Sequence, residues 1–211
     1  MLTTTLSQRN KRPKSMKFHF GKIPDAVDFS PEKENWTPIK EPSPWLAQLF
    51  ALPIGFTLAA LFLYLWVHLT PATGYNFAAT LIHIFIGIPF TVIVHELIHT
   101  LAHPQNGRSD NTILGYWPSK MIFYAHYDGI LSKQRFIAIL VLPFIFISIL
   151  PLLLCIFFSI DSSFLMFVSV FNTLCSCVDL LGVIIIFFQV PPAAITRNKV
   201  WKTYYRIPEN L

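Results

Sequence analysis

The chain has 211 residues, of which 54% are hydrophobic and only 13% are charged. Repeated apolar runs of this length argue against a water-soluble domain and favour a multi-pass protein of the cell membrane. The net charge of +5 does not indicate nucleic-acid binding, because the basic residues cluster in segments that flank the apolar runs. We therefore expect the lipid bilayer, and no nucleic acid, as the chain's surroundings.

The chain divides into three regions by composition. Residues 1–44 contain six prolines and eight Lys or Arg without an apolar core, which predicts a mostly irregular basic cytoplasmic arm. No apolar stretch follows these charges at the distance that a cleavable signal peptide requires. Residues 45–192 form the expected membrane domain, and residues 193–211 form a basic cytoplasmic tail.

Four apolar runs in the middle region are each long enough to cross about 30 Å of hydrocarbon as a helix. They cover about 45–69, 77–103, 135–160 and 164–190. Lys and Arg alternate along the chain as eight, none, four, none and four in the segments around these runs. This alternation predicts four transmembrane helices with both termini in the cytoplasm. The expected fold class is an all-α integral membrane protein.

The connection between the second and third spans, residues 104–134, contains two short β-prone runs. Residues 112–117 and 120–126 flank a Pro-Ser turn and predict a β-hairpin in the cytoplasmic loop. Such an edge can hold an extended substrate by strand addition. His126 and Asp128 follow the hairpin, and we interpret them as solvated loop residues rather than as metal ligands.

The second span contains the sequence His-Glu-Leu-Ile-His at residues 95–99. On a helix His95 and His99 project from one face about one turn apart, a spacing that suits two imidazoles on one Zn²⁺ ion. Glu96 can then serve as the general base for a water molecule. The opposing interpretation is that these histidines only hydrogen-bond neighbouring helices. Ionisable residues within a membrane span are costly, which favours a functional site.

Two further histidines lie on the same span. His83 is twelve residues before His95 and falls off the ligand face, so we interpret it as a packing residue. His103 continues the spacing of four, but it would lie about 12 Å from His95 along the helix, too far to share one ion. We therefore place His103 at the helix end, outside the ligand set.

The third ligand is predicted from depth in the membrane. The second and fourth spans run in the same direction, and both His95 and Asp179 should lie about 25 Å from the outer surface. Glu96 and Asp179 are the only acidic residues well inside any span. A divalent cation held by His95, His99 and Asp179, with one position left for water, would offset the cost of burying these charges.

Other polar residues in the fourth span support or compete with this assignment. Asn172, Ser176 and Asp179 form one polar stripe that should face the metal-binding helix, and we predict that Asn172 binds the substrate carbonyl or oxyanion. Cys175 and Cys177 are alternative soft ligands. We prefer Asp179 because an unpaired buried carboxylate costs more than a buried thiol.

These motifs resemble those of intramembrane zinc metalloproteases of the site-2 protease kind. The chain is still more similar to a family of small bacterial four-span membrane proteins classed as zincin peptidases. The shared features are the His-Glu-Leu-Ile-His helix, the Leu-Ser-Lys-Gln-Arg-Phe sequence at 131–136, and the Asn172, Ser176 and Asp179 pattern. The resemblance implies His95, His99 and Asp179 as ligands and Glu96 as catalytic base. The stretch 172–180 departs from site-2 proteases in having no proline and no glycine.

The sequence therefore predicts an intramembrane zinc metallopeptidase that acts on a membrane protein or peptide substrate. A metal transporter or sensor is the first alternative, but it needs polar residues along a path between the two membrane faces. In the outer half of the second span only His83 is titratable, and the third span contains no charge after Arg135. A catalytically inactive membrane protein is the second alternative.

Overall fold

The computed structural model describes residues 15–26, 28–71 and 77–208, so residues 1–14 of the predicted arm lie outside the described part. The described fold is mixed: it is 58% helical and contains one sheet of three strands and one of four. The prediction of an all-α protein is therefore wrong. The additional strands lie in the arm, at residues 131–132 and in the tail. Those of the arm pair only with residues that are distant in sequence, whereas the two strands of the tail also pair with each other.

The helices form the larger part of the described fold. Three continuous helical segments are long and apolar enough to cross a membrane, namely Pro44–Leu69, Thr80–Ala102 and Lys133–Phe158. A fourth candidate is a pair of helices, bent by 47° at their junction. This count is compatible with a membrane protein, whereas the cytoplasmic position of both termini stays a prediction. The helices are α1 (Pro44–Leu69), α2 (Phe77–Ile82), α3 (Ile88–Ala102), α4 (Lys133–Pro143), α5 (Leu150–Phe158), α6 (Ser163–Cys175) and α7 (Cys177–Gln189).

Prolines mark the places where the long helices change their winding. A π-helical segment, His83–Gly87, joins α2 to α3 and ends two residues before Pro89. A second π segment, Phe144–Ile149, joins α4 to α5 and ends two residues before Pro151. Proline has no N–H to donate to the preceding turn, and the wider π turn accommodates the missing hydrogen bond without breaking the helix.

The predicted hairpin between the second and third spans is confirmed. Its two strands pair antiparallel from Thr112 opposite Tyr127 to Trp117 opposite Ile122. The arm adds a parallel strand, so the order of this sheet is β1-β3-β4 and β4 is an edge strand. The second sheet is antiparallel in the order β2-β7-β6-β5. The strands are β1 (Lys17–Phe20), β2 (Thr37–Pro38), β3 (Thr112–Trp117), β4 (Ile122–Tyr127), β5 (Leu131–Ser132), β6 (Ile195–Lys199) and β7 (Lys202–Arg206).

The described part of the arm packs against the loop and the tail. Phe29 and Trp36 are buried in one apolar cluster, with their rings edge to face at 5.3 Å. Arg197 of β6 lies over the Phe29 ring and donates hydrogen bonds to Asp28 and Asp128, each at 3.0 Å. This network connects the arm, the loop between the second and third spans, and the tail, which the apolar helices separate in sequence. The division into domains at residues 44 and 192 stays a prediction.

Lys133 links the hairpin loop to the end of the fourth candidate span. Its side chain is buried, and its ammonium group donates to the carbonyl oxygens of Phe187 and Val190 at the carboxyl end of α7. These carbonyls have no helical N–H partner, and a cation at a helix carboxyl terminus also interacts favourably with the helix dipole.

Replacing Lys133 with methionine should therefore destabilise the protein. We expect Lys133→Met to lower the free energy of unfolding by about 2–3 kcal/mol, because two buried carbonyls lose a charged donor while the apolar stem is retained. Denaturant unfolding of the purified protein in detergent measures this change. Lys202→Met, at an exposed position on β7, is the matched control and should change stability by less than about 0.5 kcal/mol. Equal stability of the two variants would contradict the role given to Lys133.

Candidate metal centre

The histidine pair lies on the inner face of α3. His95 and His99 are buried, whereas Ile93 and Leu97, on the outer face of the same helix, are 66% and 43% exposed. The helix therefore turns its apolar residues outward, as expected for a surface that faces lipid. The Nε2 atoms of the two imidazoles are 3.1 Å apart. The spacing of four along the helix thus brings both rings to one point.

Asp179 reaches this point from the other side. It lies in the first turn of α7, three residues after the bend at Ser176. Its Oδ2 atom is 3.1 Å from His95 Nε2 and 3.3 Å from His99 Nε2. His95 and Asp179 are at a similar distance from the starts of their spans, and the bend between α6 and α7 turns the Asp179 carboxylate towards the two imidazoles.

The three atoms fit the ligand geometry of a tetrahedral metal ion. The three separations between these atoms are 3.1, 3.1 and 3.3 Å. Two ligands of a tetrahedral zinc ion with bonds of about 2.0–2.1 Å are ~3.3 Å apart. The triangle of donors therefore matches one face of a zinc tetrahedron and leaves the fourth position to another ligand.

Hydrogen bonds to the opposite ring nitrogens fix the tautomer of both histidines. His99 Nδ1 is 2.8 Å from the carbonyl oxygen of Ile139, which can only accept, so Nδ1 carries a hydrogen. His95 Nδ1 is 2.9 Å from Asn172 Oδ1. The Asn172 amide nitrogen donates to Pro143 O and Ser148 Oγ, which sets its oxygen as the acceptor.

These tautomers leave a lone pair on each Nε2 atom. Two imidazole lone pairs and a carboxylate oxygen of Asp179 then converge within 3.3 Å. Three acceptors at this distance repel one another unless a cation or an added proton lies between them. A divalent cation can accept the lone pairs of all three atoms at once. The hydrogen bonds at the two Nδ1 atoms are of the kind that metal-binding histidines make in other metal sites.

Glu96 lies on the same helix beside the donor triangle and is not part of it. Its Oε2 atom is buried and has no hydrogen-bond partner, and the backbone of Ala125 on β4 lies beside its carboxyl group. A buried carboxylate oxygen without a partner is costly, so its retention beside a cluster of metal donors points to a chemical role.

A cavity of about 520 Å³ joins these groups to the edge strand. The metal donors and Glu96 line one part of it, and β4 lines it along its length. The N–H of Asp128 bonds back to Asn111 beside β3. Since N–H directions alternate along a strand, Phe123, Ala125 and Tyr127 point theirs away from β3, towards the cavity. An extended chain can therefore bind along this open edge.

One protein family, described as "Putative zincin peptidase", matches residues 88–195. The chain belongs to this family. The matched range begins at α3 and contains His95, Glu96, His99 and Asp179, so it covers the complete donor set and the unpartnered carboxylate. Comparisons with curated proteins and with solved structures find no match.

Other candidate ligands of this zincin peptidase family member lie outside the donor cluster. His103 and His126 are both buried and line the cavity, and burial lowers the pKa of His126 to about 4. Cys175 also lines the cavity, whereas Cys177 lies close to Gly55 of α1. Among the described residues, the metal-binding cluster contains only His95, His99 and Asp179.

The remaining loop and span residues have structural contacts. Asp128 is not simply solvated, because it pairs with Arg197 at 3.0 Å. His83 lies 3.3 Å from the hydroxyl of Ser163 and stacks on Phe167, in keeping with a packing residue.

Sequence reasoning missed the groups that hold the imidazoles from behind. The carbonyl of Ile139 has only an indirect sequence signal: Pro143, four residues later, has no N–H to donate to it, so it is free to accept from His99. Ser148 is different: its hydroxyl accepts from Asn172, and it is an isolated buried hydroxyl in a long apolar run. A lone polar residue at that depth is a usable signal for a hydrogen-bonded network.

Proposed function

We propose that this chain is a membrane-embedded zinc metallopeptidase that cleaves a peptide bond within or near the bilayer. The observation that carries the proposal is the convergence of His95 Nε2, His99 Nε2 and Asp179 Oδ2 within 3.3 Å, beside a buried Glu96 oxygen without a partner. Membership of the zincin peptidase family supports zinc as the metal.

His95, His99 and Asp179 would hold the ion. When bound, zinc lowers the pKa of a water molecule and polarises a peptide carbonyl. Glu96 acts as general base: its carboxylate takes the proton of the attacking water and then delivers it to the leaving amine. The open edge of β4 binds the substrate as an additional strand, which keeps the peptide extended for cleavage.

Asn172 acts in this scheme as a positioning residue. The sequence predicted that it contacts the substrate, but it is fully buried, and its amide contacts His95, Pro143 and Ser148. Its oxygen holds His95 in the tautomer that presents Nε2 to the metal, and this is how it supports zinc binding.

Asn172→Leu should therefore weaken zinc binding without removing a ligand. We expect a ~10–100-fold loss of zinc affinity, the usual cost of removing a hydrogen bond to a ligating histidine. Competition against a chromophoric chelator measures the affinity. Thr173→Val, which alters the neighbouring buried residue of α6, is the matched control and should leave the affinity unchanged. Unchanged affinity in Asn172→Leu would remove the positioning role.

The purified wild-type protein in proteoliposomes tests the proposed function directly. Metal analysis should find stoichiometric zinc, and mass spectrometry should find cleaved products of membrane-anchored peptides that disappear after chelation and return with zinc. Zinc binding and metal flux across the vesicles, without any cleavage, would instead assign a transporter. Absence of zinc would refute the proposal.

A further inference from the structure

Glu41 is a carboxylate of the cavity that the proposed reaction does not use. It lies between β2 and α1 and lines the same cavity as the metal donors. It accepts a hydrogen bond from the backbone N–H of Thr203 on β7. Burial raises the pKa of Glu41 to about 7, and the exposed Lys202 offsets part of this rise. No Lys or Arg of the described chain forms an ion pair with this carboxylate.

A second acceptor lines the same cavity as Glu41. Asn198 on β6 is directly opposite Thr203 in the register of the β6–β7 pair. Side chains at opposite positions of antiparallel strands have Cβ atoms about 4.5–5.5 Å apart. The Oδ1 atom of Asn198 is buried without a hydrogen-bond partner, and the residue lines the cavity. Both side chains therefore place oxygen acceptors in the cavity: Asn198 Oδ1 has no donor, and Glu41 has the backbone N–H of Thr203 but no cationic partner.

The position of this pair relative to the metal donors follows from Trp201. The indole N–H of Trp201 donates to the carbonyl of Pro42 at 3.0 Å, which fixes the segment that carries Glu41. Trp201 also belongs to the apolar cluster of Ile122 and Tyr124 on β4. Ile122 and Tyr124 are one to three positions along β4 from Ala125, which lies beside Glu96, and this corresponds to about 3–10 Å of extended chain. Glu41 and Asn198 line the same cavity as Glu96 and β4, so a peptide bound along β4 lies in one cavity with this pair.

We propose that Glu41 and Asn198 form a specificity subsite for a basic side chain, Lys or Arg, of the peptide substrate. The subsite rests on the proposed function in that its ligand is a peptide bound along β4. A substrate ammonium or guanidinium group would donate to Asn198 Oδ1, which has no donor, and would place a positive charge beside Glu41, which has no cationic partner. The Trp201 ring offers an apolar wall for the stem of this side chain.

Peptide binding to the Glu96→Gln protein tests the subsite without requiring catalysis. The probes are N-acetylated, fluorescently labelled alanine–leucine peptides that are identical except for one Lys, Arg, Gln or Glu at the centre. Acetylation excludes the terminal amine as the cationic group. Fluorescence anisotropy with the full-length protein in detergent, with and without zinc, measures the affinities. We expect the Lys and Arg peptides to bind ~10-fold more tightly than the Gln peptide.

Variants at the subsite separate charge recognition from a folding defect. Adding Glu41→Gln, which retains an acceptor for Thr203, should abolish the preference for basic peptides, and adding Glu41→Lys should reverse it in favour of the Glu peptide. Asn198→Leu should reduce the preference by a smaller factor. Glu32→Gln removes an exposed carboxylate of the same arm and is the matched control that should keep the full preference.

Two results would overturn the subsite. One is equal binding of the Lys and Gln peptides, and the other is a preference that survives Glu41→Gln. Either result together with cleavage by the wild type would refute the subsite and leave the peptidase intact. A preference for basic peptides in a wild-type protein that cleaves nothing would refute the peptidase alone.

Discussion

Glu96→Gln should abolish peptide cleavage while leaving zinc bound. Glutamine has the shape of glutamate but cannot take the proton of the attacking water, and general base catalysis accounts for ~10²–10⁴-fold of rate in enzymes. The three donor atoms belong to other residues, so the metal site keeps its ligands. Rates of cleavage in proteoliposomes, combined with metal analysis of the same preparation, measure both effects.

The control for this experiment is a carboxylate of the same charge outside the cavity. Glu32→Gln alters an exposed residue and should retain the wild-type rate and zinc content. Cleavage by Glu96→Gln at the wild-type rate would show that Glu96 is not the base. Loss of zinc in Glu96→Gln would show that this carboxylate supports the metal rather than the proton transfer.

Asp179→Ala should lose zinc and, with it, all cleavage. Removing the backing hydrogen bond of a ligand costs ~10–100-fold in affinity, so the loss of a direct donor should exceed ~100-fold. The change removes the one anionic donor of the triangle and leaves two neutral imidazoles, which also weakens the attraction for a divalent cation. Chelator competition and metal analysis of the purified variant measure the loss.

Cysteine variants test whether the third metal ligand is the Asp179 carboxylate or a cysteine thiolate. Cys175→Ala alters a cavity residue of the fourth candidate span, and Cys177→Ala alters a buried neighbour of Gly55. Both variants should retain zinc at the wild-type affinity. Zinc retained by Asp179→Ala but lost by Cys175→Ala would replace the carboxylate with a thiolate ligand.

The candidate site was largely predictable because its determinants are local or periodic. The spacing of His95 and His99 follows from the geometry of one helix, and the choice of Asp179 follows from counting residues from the membrane surface. The bend at Ser176 was not predictable in the same way, because residues 172–180 contain neither proline nor glycine. The contacts of Asn172 depend on α4 and the π segment after it, which no local pattern specifies.

The sheets show the opposite case. The hairpin β3–β4 was predictable, since two β-prone runs flank a turn and pair with each other. β1 and β2 were not, because they are four and two residues long and pair with residues 96 and 166–168 positions away. Short strands with distant partners have no periodicity of their own, so composition alone made the arm look irregular.

The strands β6 and β7 of the second sheet are synthesised after all the helices. β6 and β7 follow every apolar run in the chain, yet Asn198, Trp201 and Thr203 form part of the wall around the cavity. A nascent chain that ends before β6 contains every described helix and the β3–β4 hairpin but lacks this wall of the cavity. The cavity therefore has its complete lining only after β6 and β7 have been synthesised and have paired.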